Sequence, residues 1–332
     1  MTPARLAPAR PLWASYPSAP MRALALPLVL TLAACSDPAP AATPARDAAV
    51  DAPADVAVDA PADVTADATA DDAGDPCASR PADRGPTAVC VRRVEGRVTD
   101  LDGAPLAGRP ITVCGPACFL AITAADGSFR VEVGDWIDVA IYSVHAHGRP
   151  DYASVYVPLA APLADVARLP EAMALPRYDA PGPELPDGAA GGTVSAGGVT
   201  LTIAPGTRLE LDLEDVDLGP LGRRLRVAPV PVERAPAAFV EAAPAALYAL
   251  APFALIASRP IGVTLPNRAG LAPGTAVEFI ALGVEPFTPP INAGSAVVAA
   301  LGRVSDDGAT VTTAPEEGLR TLSWIGYRPR SP

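Results

Sequence analysis

The sequence predicts an all-β protein: two antiparallel β-sandwich domains behind a disordered N-terminal leader and an acidic linker. Three observations lead there. Apolar and polar residues alternate in short runs, most cleanly at 128–133, where Phe129, Val131 and Val133 share one face and Arg130 and Glu132 the other. Strict alternation marks a half-buried strand. Gly, Asp and Pro separate these runs at close spacing, as in sandwiches built from short strands. The alanine-rich stretch 235–257 carries Pro236, Pro244 and Pro252, and proline removes an N–H and clashes with the preceding turn, so no long helix can form there.

The leader comes first. Residues 21–35 read MRALALPLVLTLAAC: one cation at Arg22, an apolar stretch over 23–34, then small residues before Cys35. That is the layout of a secretory signal, and the apolar part is too short for a bilayer span, which needs ~20 residues. Leu32-Ala33-Ala34-Cys35 resembles the bacterial lipobox. The resemblance implies a diacylglyceryl thioether on Cys35, cleavage just before it and acylation of the new amine. Several chains at ~0.8 kcal/mol per buried methylene give lasting attachment. It also implies a cell-envelope location, at the outer membrane, facing the periplasm or the outside. Residues 1–20 fit poorly in front of a signal, so Met21 is the expected start and 1–20 a non-native extension.

Charge bounds the partners. The 332 residues carry 37 acids and a net charge of −12, and every cation is arginine. Arg5, Arg10 and Arg22 precede Cys35 while all the acids follow it, so the part after Cys35 carries −15. Such a chain lacks the basic patch that nucleic acid requires. Anionic head groups repel it too, leaving the lipid as its expected contact with the membrane.

Residues 36–76 are Ala, Asp, Pro, Val and Thr, with VDAPADV occurring twice. Aspartates recur every four residues from Asp47 to Asp71, which on a helix would stack like charges. The expectation is a solvated, self-repelling tether, without the glycine turns and close ligand spacing of a calcium loop. Four cysteines remain after Cys35: Cys77, Cys90, Cys114 and Cys118. An even number in an exported chain points to disulfides. Three pairings exist, and local spacing favours Cys77–Cys90 with Cys114–Cys118. Zinc is the competing use, but no C-x-x-C pair is present.

The first sandwich is expected over 77–175. Strands are read at 94–99, 111–113, 120–123 and 128–133, with Ile137, Val139 and Ile141 continuing the alternation. Asp102-Gly103, Gly115-Pro116 and Asp126-Gly127 supply the turns. Gly96-Arg97-Val98-Thr99-Asp100, the run Asp102 to Gly108 and TAADGSF at 123–129 resemble the carboxypeptidase regulatory-like domain. That resemblance implies a seven-stranded, transthyretin-like sandwich acting as a folding or binding accessory, without peptidase activity. Residues 176–188, rich in Pro, Gly and acids, read as a linker. Over 189–332 a second sandwich is expected. Gly191-Gly192-Thr193-Val194-Ser195 and Gly198 to Gly206 resemble the sandwich module of ankyrins and netrin receptors, with Ile203-Ala204-Pro205-Gly206 where that family has Ile-Pro-Pro-Gly. Within it, 235–257 should hold at most a short helical turn, then a strand near 247–250 or 253–256.

Candidate chemistry is sparse. His145 and His147 sit two apart, so on a strand they face one side, as metal ligands would; a polar strand end before Gly148-Arg149-Pro150 is the plainer reading. Glu210, Asp212 and Glu214 alternate with leucines, so one strand would carry three carboxylates that could hold calcium or simply meet solvent. No G-x-S-x-G, H-E-x-x-H or phosphate-binding loop occurs. The expected role is a non-catalytic binding, adhesion or structural module of the envelope, needing no cofactor. Its partners would be the membrane, through the lipid, and a protein or glycan ligand. The alternative is a calcium- or zinc-binding or enzymatic accessory protein.

Overall fold

The computed structural model describes residues 75–159, 161–162, 165–286 and 292–331, all within one compact unit, Ala68–Pro332. Cys35, the leader and residues 36–74 lie outside the described residues. The fold is all-β, as expected.

Eight strands build the first module: β1 (Val89–Asp100), β2 (Pro110–Cys114), β3 (Cys118–Ile122), β4 (Ser128–Ile137), β5 (Ser143–Ala146), β6 (Val155–Pro158), β7 (Val166–Arg168) and β8 (Met173–Leu175). One sheet runs β4-β1-β7 with β8 also on β1, and the other runs β3-β2-β5-β6. Pairing is antiparallel except that β7 and β8 run parallel to β1. The alternation of β4 places Val131 opposite Val94, and both are fully buried with Ile111, Val113 and Val144 between the sheets. The alternation does not continue past Ile137. Asp138 accepts a hydrogen bond from the Ala140 N–H and caps a single 3-10 turn, Val139–Ile141; a short carboxylate offers the backbone an alternative to the ladder.

Cys77–Cys90 and Cys114–Cys118 form the two disulfides. The first ties the start of the described chain to β1, and the second crosses the β2–β3 hairpin at the opposed pair Cys114 and Cys118.

The second module contains β9 (Gly192–Ala196), β10 (Val199–Ile203), β11 (Leu209–Glu210), α1 (Leu213–Asp217), β12 (Arg226–Val230), α2 (Ala237–Val240), β13 (Ala246–Ala251), β14 (Ile256–Pro266), β15 (Ala276–Leu282), β16 (Ala296–Val304), β17 (Thr310–Thr313), β18 (Leu319–Thr321) and β19 (Trp324–Pro329). The short helix α2 and the strand β13 fall where the prolines between them allow. The strands make one eleven-stranded sheet, β12-β13-β19-β15-β16-β17-β14-β10-β9, with β11 and β18 also on β14. It curls until its ends nearly meet, so the two expected layers are opposite walls of one barrel-like sheet. A Cβ on Gly197, in the β9–β10 turn, would lie 2.9 Å from Val227 of β12. The segment before β9 lies along β12, with Asp179 N–H donating to Val227 O at 3.0 Å and Gly182 N–H to Leu225 O at 2.9 Å.

The two modules share a core. Val144, Ala153 and Tyr178 cluster with Ala249, Phe253, Leu282 and Trp324. The Trp324 indole N–H donates to Ser154 O at 2.7 Å across this seam. Among the described residues no helix is long and apolar enough to cross a membrane.

Candidate functional site

The seam gathers most of the residues singled out for chemistry. Strand β5 holds His145 on its outer face, and the chain leaves that strand through His147, Gly148 and Arg149. The two imidazoles lie on the same side, centroids 3.8 Å apart. His145 stacks in turn on Tyr156 of β6 at 4.0 Å and faces Phe253 of the second module at 5.7 Å.

The acidic residues reach the same place by a route the alternation does not show. Glu210 ends strand β11 and pairs with Arg208 on the surface. Asp212 then caps α1, its side chain accepting from the Glu214 N–H. The expected acidic strand is therefore a strand end and a helix start. The physical reason is local: Asp is a strong N-cap, and Glu214 and Asp215 in the first turn suit the positive end of a helix. The helix aims Glu214 and Asp215 at the first module and leaves Glu210 behind.

Arg149 is the hub. Its guanidinium, 5% exposed, lies 3.1 Å from Asp212 and 3.2 Å from Asp215, pairs with Glu214, and donates to Phe253 O at 2.6 Å. Burial opposes its charge, but the carboxylates of Asp215, Glu214 and Asp212 raise its pKa above the ordinary value. His147 Nδ1 bonds Glu214, and its Nε2 is 3.1 Å from the Thr112 hydroxyl. Burial pushes Glu214 up, yet its bonds to His147 and Arg149 outweigh it and hold the carboxyl at about 2.

Asp215 is fully buried. It accepts from Arg226 at 2.8 Å and from the Phe253 N–H at 3.0 Å. Burial pushes its pKa up while both guanidiniums pull it down. Arg226 also donates to Pro150 O at 2.6 Å, binding the second module back to the first. His145 differs from its neighbours. It is buried, its Nε2 has no hydrogen-bond partner among the described residues, and burial, reinforced by the neighbouring His147 and Arg149, holds its pKa well below the usual imidazole value.

The arrangement is a clasp: two buried arginines, three acids and a histidine joining segments more than sixty residues apart in sequence. Where a metal reading would put a cation, Arg149 supplies one. Among the described residues no group of three or more His, Cys, Asp or Glu side chains is disposed to hold a metal ion.

No family model matches the chain, and no curated protein sequence matches it. A crystal structure from Bacteroides uniformis, provisionally described as that of a carbohydrate-binding protein, aligns over 73% of this chain and 97% of that one. The identity is 9% and the TM-score 0.20. A likeness that slight carries no argument about fold or ligand.

Proposed function

We propose that this protein is a non-catalytic binding module of the bacterial cell envelope, anchored through a lipid on Cys35 and carried on the acidic stretch that follows. The observation that supports it most directly is the closure of the seam cluster. Acid–base groups of this kind, with shifted pKa values, are what an active site would use. Here each charged member bonds across the seam or to a residue that does, so the cluster makes one body of two modules. The two disulfides favour an oxidising compartment, in keeping with the export signal at 21–35. The lipobox and the regulatory-like resemblance support the same reading.

Two experiments test it. Replacing Cys35→Ser should move the protein from the membrane fraction to the soluble one; continued membrane fractionation would refute the anchor. The alternative reading, a zinc or calcium protein, finds no group of three or more ligand side chains among the described residues. Elemental analysis of the dialysed protein separates them: stoichiometric zinc or calcium replaces the first reading with the second.

A further inference from the structure

A second feature lies on the far face of the barrel-like sheet. Along β9, β10, β14 and β17, Val194, Leu201, Val263 and Val311 point inward and are buried. The residues between them point outward and are hydroxylic. Ser195 lies opposite Thr200, Thr200 opposite Thr264, and Thr264 opposite Thr312. Ser195 and Thr200 bond at 2.8 Å, Thr264 and Thr312 at 3.1 Å. The result is a cross-strand row of hydroxyls, each still able to bond outward.

Beside this row opens a groove of about 630 Å³, lined by Thr264 and Thr312 together with Arg259, Arg320, Glu316 and Glu317. None of these four charged residues makes an ion pair among the described residues, and each arginine is held by one carbonyl. Arg259 donates to Pro205 O at 2.8 Å and Arg320 to Ser258 O at 3.1 Å. Among the described residues their remaining donors are free. Glu316 sits at φ 65°, a left-handed conformation that is strained for a non-glycine residue and often marks a functional site.

The floor of the groove is Gly262. Its backbone does not need glycine, because its φ is not in the left-handed region. Nor does packing, because a Cβ there would meet its nearest neighbour, Thr202 Cβ, at an ordinary 3.5 Å. Glycine inside a strand weakens it and marks a place where something approaches the backbone closely. A side chain at 262 would fill the groove.

We propose that this groove binds a neutral glycan chain. Two guanidiniums and two carboxylates cancel in charge, so the groove selects neither anion nor cation. Guanidinium donors, carboxylate acceptors and threonine hydroxyls together match the alternating donors and acceptors of vicinal diols. The bare backbone at Gly262 lets a flat sugar ring lie close. This assignment rests on the reading of the protein as a binding module and names the ligand class of that module.

The test is affinity electrophoresis of the purified full chain in native gels holding glycogen, hydroxyethyl cellulose, galactomannan or xylan, one at a time. At least one should slow the protein. Gly262→Val should abolish the slowing while leaving migration in plain gel and the thermal midpoint intact. Arg320→Ala should weaken association about tenfold or more, the loss expected for one charge-assisted hydrogen bond. Slowing by none of the four overturns the proposal, as does equal slowing of Gly262→Val. Should Gly262→Val misfold, unchanged slowing of Arg320→Ala overturns it instead. A stable protein partner crosslinked in cells, with no slowing in any gel, would overturn the groove and leave the binding-module reading standing.

Discussion

Asp215→Asn should destabilise the protein by about 3 kcal/mol, the lower end of the cost of breaking a buried pair. The magnitude follows from what is left behind. Asp215 lies 2.8 Å from Arg226 and 3.2 Å from Arg149, attractions of ~6 and ~5 kcal/mol at an effective dielectric of ~20. Taking three ions out of water offsets most of that, so the intact cluster gains little net stability. Removing one partner is a different matter. Arg149 keeps Asp212 and Glu214, whereas Arg226, 2% exposed, has Asp215 as its carboxylate partner. The main cost is therefore one orphaned guanidinium. Asparagine retains an acceptor for the Phe253 N–H, so the amide substitution isolates the charge. Urea unfolding should be followed by circular dichroism and by the fluorescence of Trp324, whose indole bridges the seam. A loss of ~3 kcal/mol corresponds to a fall in thermal midpoint of roughly 6–12 °C. Adding Arg226→Met to Asp215→Asn removes the orphan and should recover ~1–2 kcal/mol, because a buried pair replaced as a whole is nearly neutral. A loss under ~1 kcal/mol, or strictly additive effects in the pair, would refute the clasp.

The remaining predictions concern the same seam and its staples. His145 is buried neutral, with its folded pKa well below the unfolded 6.5, so below pH 6.5 the unfolded chain takes a proton that the folded one refuses. Stability should fall as pH drops from 6.5 toward the folded value, by up to ~1.4 kcal/mol per unit, and His145→Phe, which keeps the ring stack, should flatten that limb of a stability–pH profile. Glu214 runs from 4.5 unfolded to about 2 folded; its contribution is present above pH 4.5 and lost as pH falls toward 2, and Glu214→Gln should remove that acid limb without steepening the one near neutrality. Gly222→Ala should unfold the α1 region, since its Cβ would lie 1.7 Å from Asp215 O; a variant with wild-type urea midpoint would contradict this packing. Replacing Cys77 and Cys90 together by alanine should cost ~3 kcal/mol from the closed loop of 13 residues, read as a lowered urea midpoint whose remaining response to reductant is that of Cys114–Cys118 alone.

What could be read from the sequence, and what could not, divides along the range of the forces involved. Alternation is a local signal, and it located β4 from Phe129, Val131 and Val133 because each needs only its own strand's two faces. The cysteine pairs were legible for the same reason, their partners being 13 and 4 residues away. One local signal was there to be read differently: Asp212 followed by Glu214 and Asp215 is a helix start, although its leucines also alternate. Asp138 ended the alternation at Ile137 in the same way. The hub itself had no local mark. Arg149 meets its acids 63 and 65 residues on and Phe253 104 residues on, and nothing near Asp215 distinguishes it from its acidic neighbours. Asp215 is singled out because the α1 turn buries it against β12 and the first module, where Arg226 arrives from β12 and Arg149 from the turn after β5. The sequence offers the histidines and the acids as two separate metal candidates; the fold brings them together, Glu210 excepted, and sets an arginine between them. A composition reading could not anticipate that, because the charge that decides the outcome comes from a third segment.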